Sequence, residues 1–336
     1  IIFYKNDIII QKAMAKNIQN SSVVFMYHRF GESKHPSTNV SIEQFKSHLE
    51  EFSKSKYNVA TLNFIVDSFS AETSLPKNTI AITVDDGYRS FLTEAWPLLK
   101  KYGFPATMFI STEPIDAGIR GYLTWEEIRQ LKSEGLEIGA HTRTHAHLND
   151  LSINTIKEEI EHSNKRFLEE INEIPKLFSY PFGETSNAII NLIKDYKFSA
   201  AFGQHSGVIN ETSNFYYLPR FSINEKYGNI ERIQFTANAK GLGIYDFIPI
   251  DPLLNENPPF IGFSLLDKDI SDKLNCFIFD SNGTVDSDKY IFGERVEIRL
   301  KRKLTKGRTR LNCTTKDKEG NWRWFGRQLF MPNNLD

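Results

Sequence analysis

Asp85 and Asp86 stand side by side in TIAITVDDG, and His141 and His145 stand four positions apart in LEIGAHTRTH. Adjacent carboxylates raise each other's pKa unless a cation lies between them or nearby. Two imidazoles at that spacing, on a turn that begins a helix, can aim both rings at one point, as a divalent metal requires. Each pattern alone has a plainer explanation, since Asp-Asp-Gly suits a turn and a single H-x-x-x-H is often merely solvated. Together they make a facial set of one carboxylate and two imidazoles that leaves positions open for water and substrate. The second aspartate would then be free to act as a base. His147, beyond Ala146, is expected to face solvent. A third polar stretch, Ser179-Tyr180-Pro181-Phe182-Gly183, is either a simple turn or a groove wall with an aromatic face and an exposed backbone N–H.

Each of these stretches follows an apolar run with the character of a strand. Between Ser21 and about Lys240 such runs (VVFMYH, TIAITV, PATMFIST, LEIGAH, KLFSYP, SAAFGQ) alternate with helical patterns. Ser41 is a plausible N-cap for a helix carrying Ile42, Phe45, Leu49 and Phe52 at helical spacing. Gly103 closes the helix of FLTEAWPLLKKYG; Thr124 and Glu127 form a capping box, and Gly135 stops that helix. Strand-helix-strand at this rhythm predicts parallel strands joined by crossover helices, in a barrel or an open doubly wound sheet. Either fold gathers chemistry at the C-terminal ends of its strands.

The pattern changes after residue 240. Residues 241–259 are rich in proline and read as a linker; residues 260–336 are short alternating segments broken by turns such as Ser281-Asn282-Gly283, which predicts a small C-terminal β-sandwich. Trp322 and Trp324 would share one face of a strand, either stacking on sugar rings or filling a core.

TVDDG, HTRTH and YPFG, in this order and each after a strand, resemble the first three motifs of the polysaccharide deacetylases, the NodB-homology domain of carbohydrate esterase family 4. The resemblance spans residues 21–240, and VVFMYHRF and LPRF are similar to text in the Gram-negative exported branch of that family. It implies an α/β fold, a distorted (β/α)7 barrel, and a divalent metal ion, zinc first, with cobalt or nickel as alternatives. Carried over by motif, Asp85 is the catalytic base, Asp86, His141 and His145 hold the metal, and the Phe182 N–H helps hold the oxyanion. Tyr180, Pro181 and Gly183 would line the substrate groove beside it.

Two departures from the family pattern stand out. Ser179 occupies a position where many members carry the arginine that orients the base; Arg220 in LPRF would reach Asp85 instead, through a bidentate fork. The usual late Leu-x-His is replaced by Leu218-Pro219-Arg220, which leaves His205 as the substitute general acid. His28, at the end of VVFMYH, points to the same barrel face, where a buried, hydrogen-bonded role is its default.

The 336 residues balance 41 Lys+Arg against 42 Asp+Glu, so no basic face for nucleic acid is indicated. With 26 Phe and 13 Tyr the chain is not of disordered composition. No apolar run nears the ~20 residues of a transmembrane span. Cys276 and Cys313 lie in no metal-ligand spacing and are two buried thiols or one disulfide. Residues 1–20 read as the remnant of a signal peptide or as a short amphipathic helix, which favours a periplasmic or secreted protein over a cytoplasmic one. The expected function is metal-dependent removal of N-acetyl groups from an amino-sugar polysaccharide. Its rivals are an O-acetyl esterase and a sugar-binding protein on a weakened deacetylase scaffold.

Overall fold

A computed structural model describes residues 20–333. The signal-peptide reading of the first residues lies outside the described residues. Seven parallel strands form one curled sheet: β1 (Ser22–Tyr27), β2 (Thr79–Asp86), β3 (Thr107–Ile110), β4 (Glu137–Ala140), β5 (Leu177–Ser179), β6 (Ala200–Phe202) and β7 (Phe221–Ser222). Their spatial order is β7-β1-β2-β3-β4-β5-β6, with the short strand Asn58–Val59 also pairing with β2. The curl is a half-barrel, and Leu218, three residues before β7, bridges to Phe202 at the end of β6.

β1 and β2 are buried along their whole length, as strands covered on both faces must be. That coverage is why they read as near-continuous apolar runs. Outside the curl, Phe25, Tyr27, Ile80, Ile82 and Val84 pack against helices whose boundaries follow the caps in the sequence. Ser41 and Thr124 both close capping boxes, and Gly103 ends its helix in the left-handed conformation. Inside, Val24, Ala81, Phe109, Leu177 and Phe202 form a second cluster. Each such apolar side chain withdrawn from water contributes roughly 1.5–3 kcal/mol.

The remaining residues build two further sheets around a shared core that includes Ile261, Phe263, Val296, Leu311 and Leu329. One sheet has the order β8-β16-β15-β11-β12, from Lys240–Gly241, Trp322–Met331, Gly307–Lys316, Asn275–Asp280 and Gly283–Thr284. The other, antiparallel, has the order β9-β10-β14-β13, from Ile244–Ile248, Ile261–Leu265, Arg295–Leu300 and Ser287–Phe292. Residues 241–259 are therefore not a free linker: β9 lies within them and pairs with β10, and Leu254 is buried. Their prolines fall after β9 and before β10, breaking the alternation that would have marked a strand. Cys276 and Cys313 face each other across β11 and β15 and are joined in a disulfide, so the two-thiol alternative does not hold. No helix among the described residues is long and apolar enough to cross a membrane.

Candidate active site

Three strand ends on one edge of the half-barrel bring the polar stretches together. β2 ends at Asp86, His141 directly follows β4, and the Pro181–Gly183 turn follows β5. The backbone there is unusual. Asp86, Thr142, His145 and Phe182 all have positive φ, between 58° and 77°, without being glycine. Each such residue costs about 1–3 kcal/mol, and such conformations collect where a site fixes its side chains in advance.

Asp86, His141 and His145 form a group whose ligand atoms lie within 4.8 Å of one another. Asp86 Oδ1 is 3.5 Å from His141 Nε2 and 3.3 Å from His145 Nε2. His141 Nδ1 lies 2.7 Å from the Ser179 carbonyl oxygen, which can only accept. The proton therefore sits on Nδ1, and the Nε2 lone pair turns toward the carboxylate, an arrangement typical of metal-ligating histidines. Asp86 Oδ1 and His141 Nε2 are both buried and lack a hydrogen-bond partner. Two orphaned acceptors side by side, with a second imidazole, His145, facing them, fit a divalent cation. Burial alone would raise the Asp86 pKa, but the two histidines hold it well below the ordinary carboxylate range.

Asp85 is fully buried, and both its oxygens are taken by Arg220: Nη1 donates to Oδ1 and Nη2 to Oδ2, each at 2.7 Å. Arg220 is itself fully buried, lies over the Phe109 ring, and donates through Nε to the Gly203 carbonyl. Its Nη2 also donates to Ser179 Oγ at 2.7 Å. Ser179, where the family pattern carries arginine, thus accepts from the arginine that reaches Asp85. Desolvation would raise the Asp85 pKa; Arg220 and then His141 overcome it, and the carboxyl stays below its usual range. Asp85 Oδ2 is 3.9 Å from His141 Nε2, which puts the aspartate beside the cluster without being one of its three members.

The Phe182 turn lies against the imidazoles. Its ring stacks on His147 at 3.8 Å and meets His145 edge-on at 4.6 Å. His147, expected in solvent, is half-exposed yet engaged on two sides, with Nδ1 2.8 Å from a Glu184 oxygen. Of the four residues expected along the groove, only Phe182 is partly exposed; Tyr180, Pro181 and Gly183 are buried. Tyr180 packs on Phe178 and Tyr217 and donates to the Tyr216 carbonyl, because an aromatic ring after an inward strand finds the core first. Gly183 has φ +68°, and a Cβ there would stand 2.4 Å from the Gln204 nitrogen, so the turn admits only glycine.

Three further expectations fare differently. His205 lines a cavity of about 460 Å³ with Tyr217, Phe247, Phe325 and Arg327, apart from the metal-type cluster. Burial, then the Arg327, Arg220 and Arg310 charges, holds its pKa well below the usual value, so it carries no proton to give at neutral pH. Trp322 and Trp324 both pack on Phe235, Trp324 also meets Phe221, and its indole N–H donates to Asn312. They join the C-terminal sheet to the half-barrel. The sequence suggests a buried, hydrogen-bonded role for His28; Asp86, Asp85, Arg220 and His141 all act on its charge, so it stands near the same cluster. Burial, the largest influence, lowers its pKa against the pull of the two aspartates. Its position immediately after β1, one strand from β2, was the signal in the sequence.

Residues 72–201 match the family model of polysaccharide deacetylases. The chain is similar to the poly-beta-1,6-N-acetyl-D-glucosamine N-deacetylase of Staphylococcus aureus, 26% identical over 238 residues, covering 62% of this chain and 80% of that one. It is also similar to the YxkH protein of Bacillus subtilis, 25% identical over 201 residues, covering 60% of this chain and 71% of that one. Among solved structures, the Streptococcus pyogenes deacetylase PplD in complex with acetate superposes with a TM-score of 0.60 at 20% identity, over 65% of this chain and 99% of that one. IcaB from Ammonifex degensii gives 0.58 at 20% identity, over 65% and 97%. The half-barrel has the NodB-like fold of these solved structures.

Proposed function

We propose that this protein is a metal-dependent hydrolase that removes N-acetyl groups from a polysaccharide containing N-acetylglucosamine. One observation carries the reading: Asp86 Oδ1 and His141 Nε2, buried and unpartnered, face His145 beside an aspartate whose ionised form is locked by Arg220. The substrate class follows the Staphylococcus aureus relative, whose name specifies an N-deacetylase of poly-N-acetylglucosamine.

Asp86, His141 and His145 would hold the ion, and nitrogen and carboxylate donors in this number suit zinc, with cobalt or nickel as alternatives. When bound, such an ion supplies a Lewis acid that polarises an acyl carbonyl and lowers the pKa of water. The other roles fall to the chain itself. Asp85 accepts a proton from the attacking water, and Arg220 keeps it ionised and correctly turned. The Phe182 N–H is free for the developing oxyanion, since the turn's own hydrogen bonds run from Gly183 to Tyr180 and from Glu184 to Pro181. His28, whose charge both aspartates reach, would pass the proton taken from water on to the departing amine nitrogen. The C–N bond then breaks to give acetate and a free amine. The Cys276–Cys313 disulfide suits an oxidising compartment, consistent with action outside the cytoplasm on a surface or secreted polymer.

The test is acetate release by the metal-reconstituted protein from matched N-acetylated and O-acetylated oligosaccharides. Release from the N-acetylated series supports the proposal. Release from esters alone would make the protein an esterase, and binding without release would make it a sugar-binding protein.

A further inference from the structure

The Phe182 turn is held from outside its own domain. Phe182 sits at φ 58°, ψ 4°, a left-handed conformation that a phenylalanine does not keep without restraint. Within the turn, Gly183 donates to Tyr180, which fixes one side. The other side is fixed by the C-terminal sheet. Gln328 on β16, only 1% exposed, donates from Nε2 to the Phe182 carbonyl at 3.1 Å. Arg308 on β15 approaches the same oxygen at 3.5 Å and lies over the Phe182 ring. The two side chains share a sheet face, because Arg310 pairs with Gln328 and Arg308 is two residues further along the same strand. Tyr217 links the neighbouring peptide to the same strand: its hydroxyl is 2.8 Å from the Gly183 carbonyl and 3.3 Å from that of Gln328. Arg308 Nε also comes within 3.6 Å of Glu184, the carboxylate that engages His147 against the Phe182 ring.

We propose that Gln328, seconded by Arg308, is a positioning residue of the reaction: by holding the Phe182 carbonyl it fixes the left-handed backbone of that residue, and with it the direction of the Phe182 N–H on the adjoining peptide, toward the acetyl oxygen. This rests on the deacetylase reading and on the oxyanion role given there to Phe182. On this account the C-terminal sheet completes the active site. Without that restraint Phe182 would leave its left-handed conformation and turn its N–H away while leaving Asp85 and the metal ligands in place, and misplacements on the scale of 1 Å cost up to ~10²-fold in rate.

The experiment uses the full chain loaded with zinc, as wild type, Gln328→Leu, Gln328→Glu and Arg308→Ala, with Arg323→Ala on the same strand as control. For each, kcat and KM for acetate release, metal content, Tm, and amide hydrogen exchange across residues 180–185 are measured. Gln328→Leu is expected to lower kcat by about 10- to 100-fold with KM and metal content nearly unchanged, and to speed exchange in the turn. Gln328→Glu is expected to work at low pH, where a neutral carboxyl can donate, and to lose kcat as the carboxyl ionises, since a carboxylate only accepts. A role confined to holding the domains together would change Tm without that split or that pH profile. If Gln328→Leu fails to fold, the half-exposed Arg308→Ala carries the test, with a several-fold fall in kcat expected. Folded, metal-loaded variants with wild-type kcat and wild-type exchange would overturn the inference. Wild-type protein that releases no acetate would instead overturn the reading of the function, and the exchange data would decide by themselves whether Gln328 holds the turn.

Discussion

Arg220 lies 135 positions from Asp85 in the chain, yet its guanidinium takes both carboxylate oxygens at 2.7 Å with neither group exposed. Breaking a buried pair strands the remaining charge, typically at a cost of about 3–5 kcal/mol. Arg220→Met is therefore expected to lower Tm sharply. Arg220→Lys keeps the charge but not the fork, and should fold with acetate release at least ~10-fold slower. Thermal melts and initial rates on the two variants check this.

The base and the ligands should separate by readout. Asp85→Asn is expected to abolish acetate release while bound metal persists. His141→Ala and His145→Ala should lose the metal itself. Elemental analysis beside the activity assay distinguishes these outcomes, and full metal occupancy in either histidine variant would sink the ligand set.

His28→Asn should retain metal and fold while kcat falls by about 10²–10⁴-fold, the usual contribution of a placed acid or base. A rate near wild type would remove His28 from proton delivery.

Acid should unfold this protein partly through His48. Its ring is fully buried, with Nε2 2.7 Å from the Gly228 carbonyl and Nδ1 3.1 Å from the Tyr27 hydroxyl; burial lowers its pKa to about 4. The unfolded chain binds a proton near pH 6.5, the folded one only near 4, so this stabilisation is complete above about 6.5 and fades as pH falls toward 4. A shift of that size corresponds to roughly 3 kcal/mol. Denaturant unfolding of wild type and His48→Phe at pH 7 and pH 4 should show a flatter dependence in the variant.

The Cys276–Cys313 bond closes a loop of sequence separation 37. Constraining such a loop in the unfolded chain is worth about 4 kcal/mol. Unfolding with and without reductant, or in a Cys276→Ala/Cys313→Ala double variant, should register a loss of that order, with the metal site unaffected in the folded fraction.

Much of the half-barrel was legible because its signals are local. Strands buried on both faces announce themselves as apolar runs, and Ser41, Thr124 and Gly103 mark helix ends through hydrogen bonds within a few residues. The residues at the ends of β2 and β4 were legible for the same reason, since carboxylates and imidazoles at strand ends have few structural uses. What was not legible depends on long-range closure. That His28 faces the aspartates follows from β1 pairing with β2. That Tyr180 turns inward, and that Trp322 and Trp324 meet Phe235, are packing outcomes for which spacing has no code. Residues 241–259 misled because prolines between short strands look the same as prolines in a tether.

The hydrogen bond from Gln328 to Phe182 also sets a timetable. A polypeptide emerges from the ribosome amino end first, so every metal-type ligand is made well before the strand that steadies the turn beside them. Until residue 328 has been delivered and its sheet has closed, the nascent chain holds the ingredients of a catalyst in an unfinished frame. Chemistry is deferred to the completed molecule.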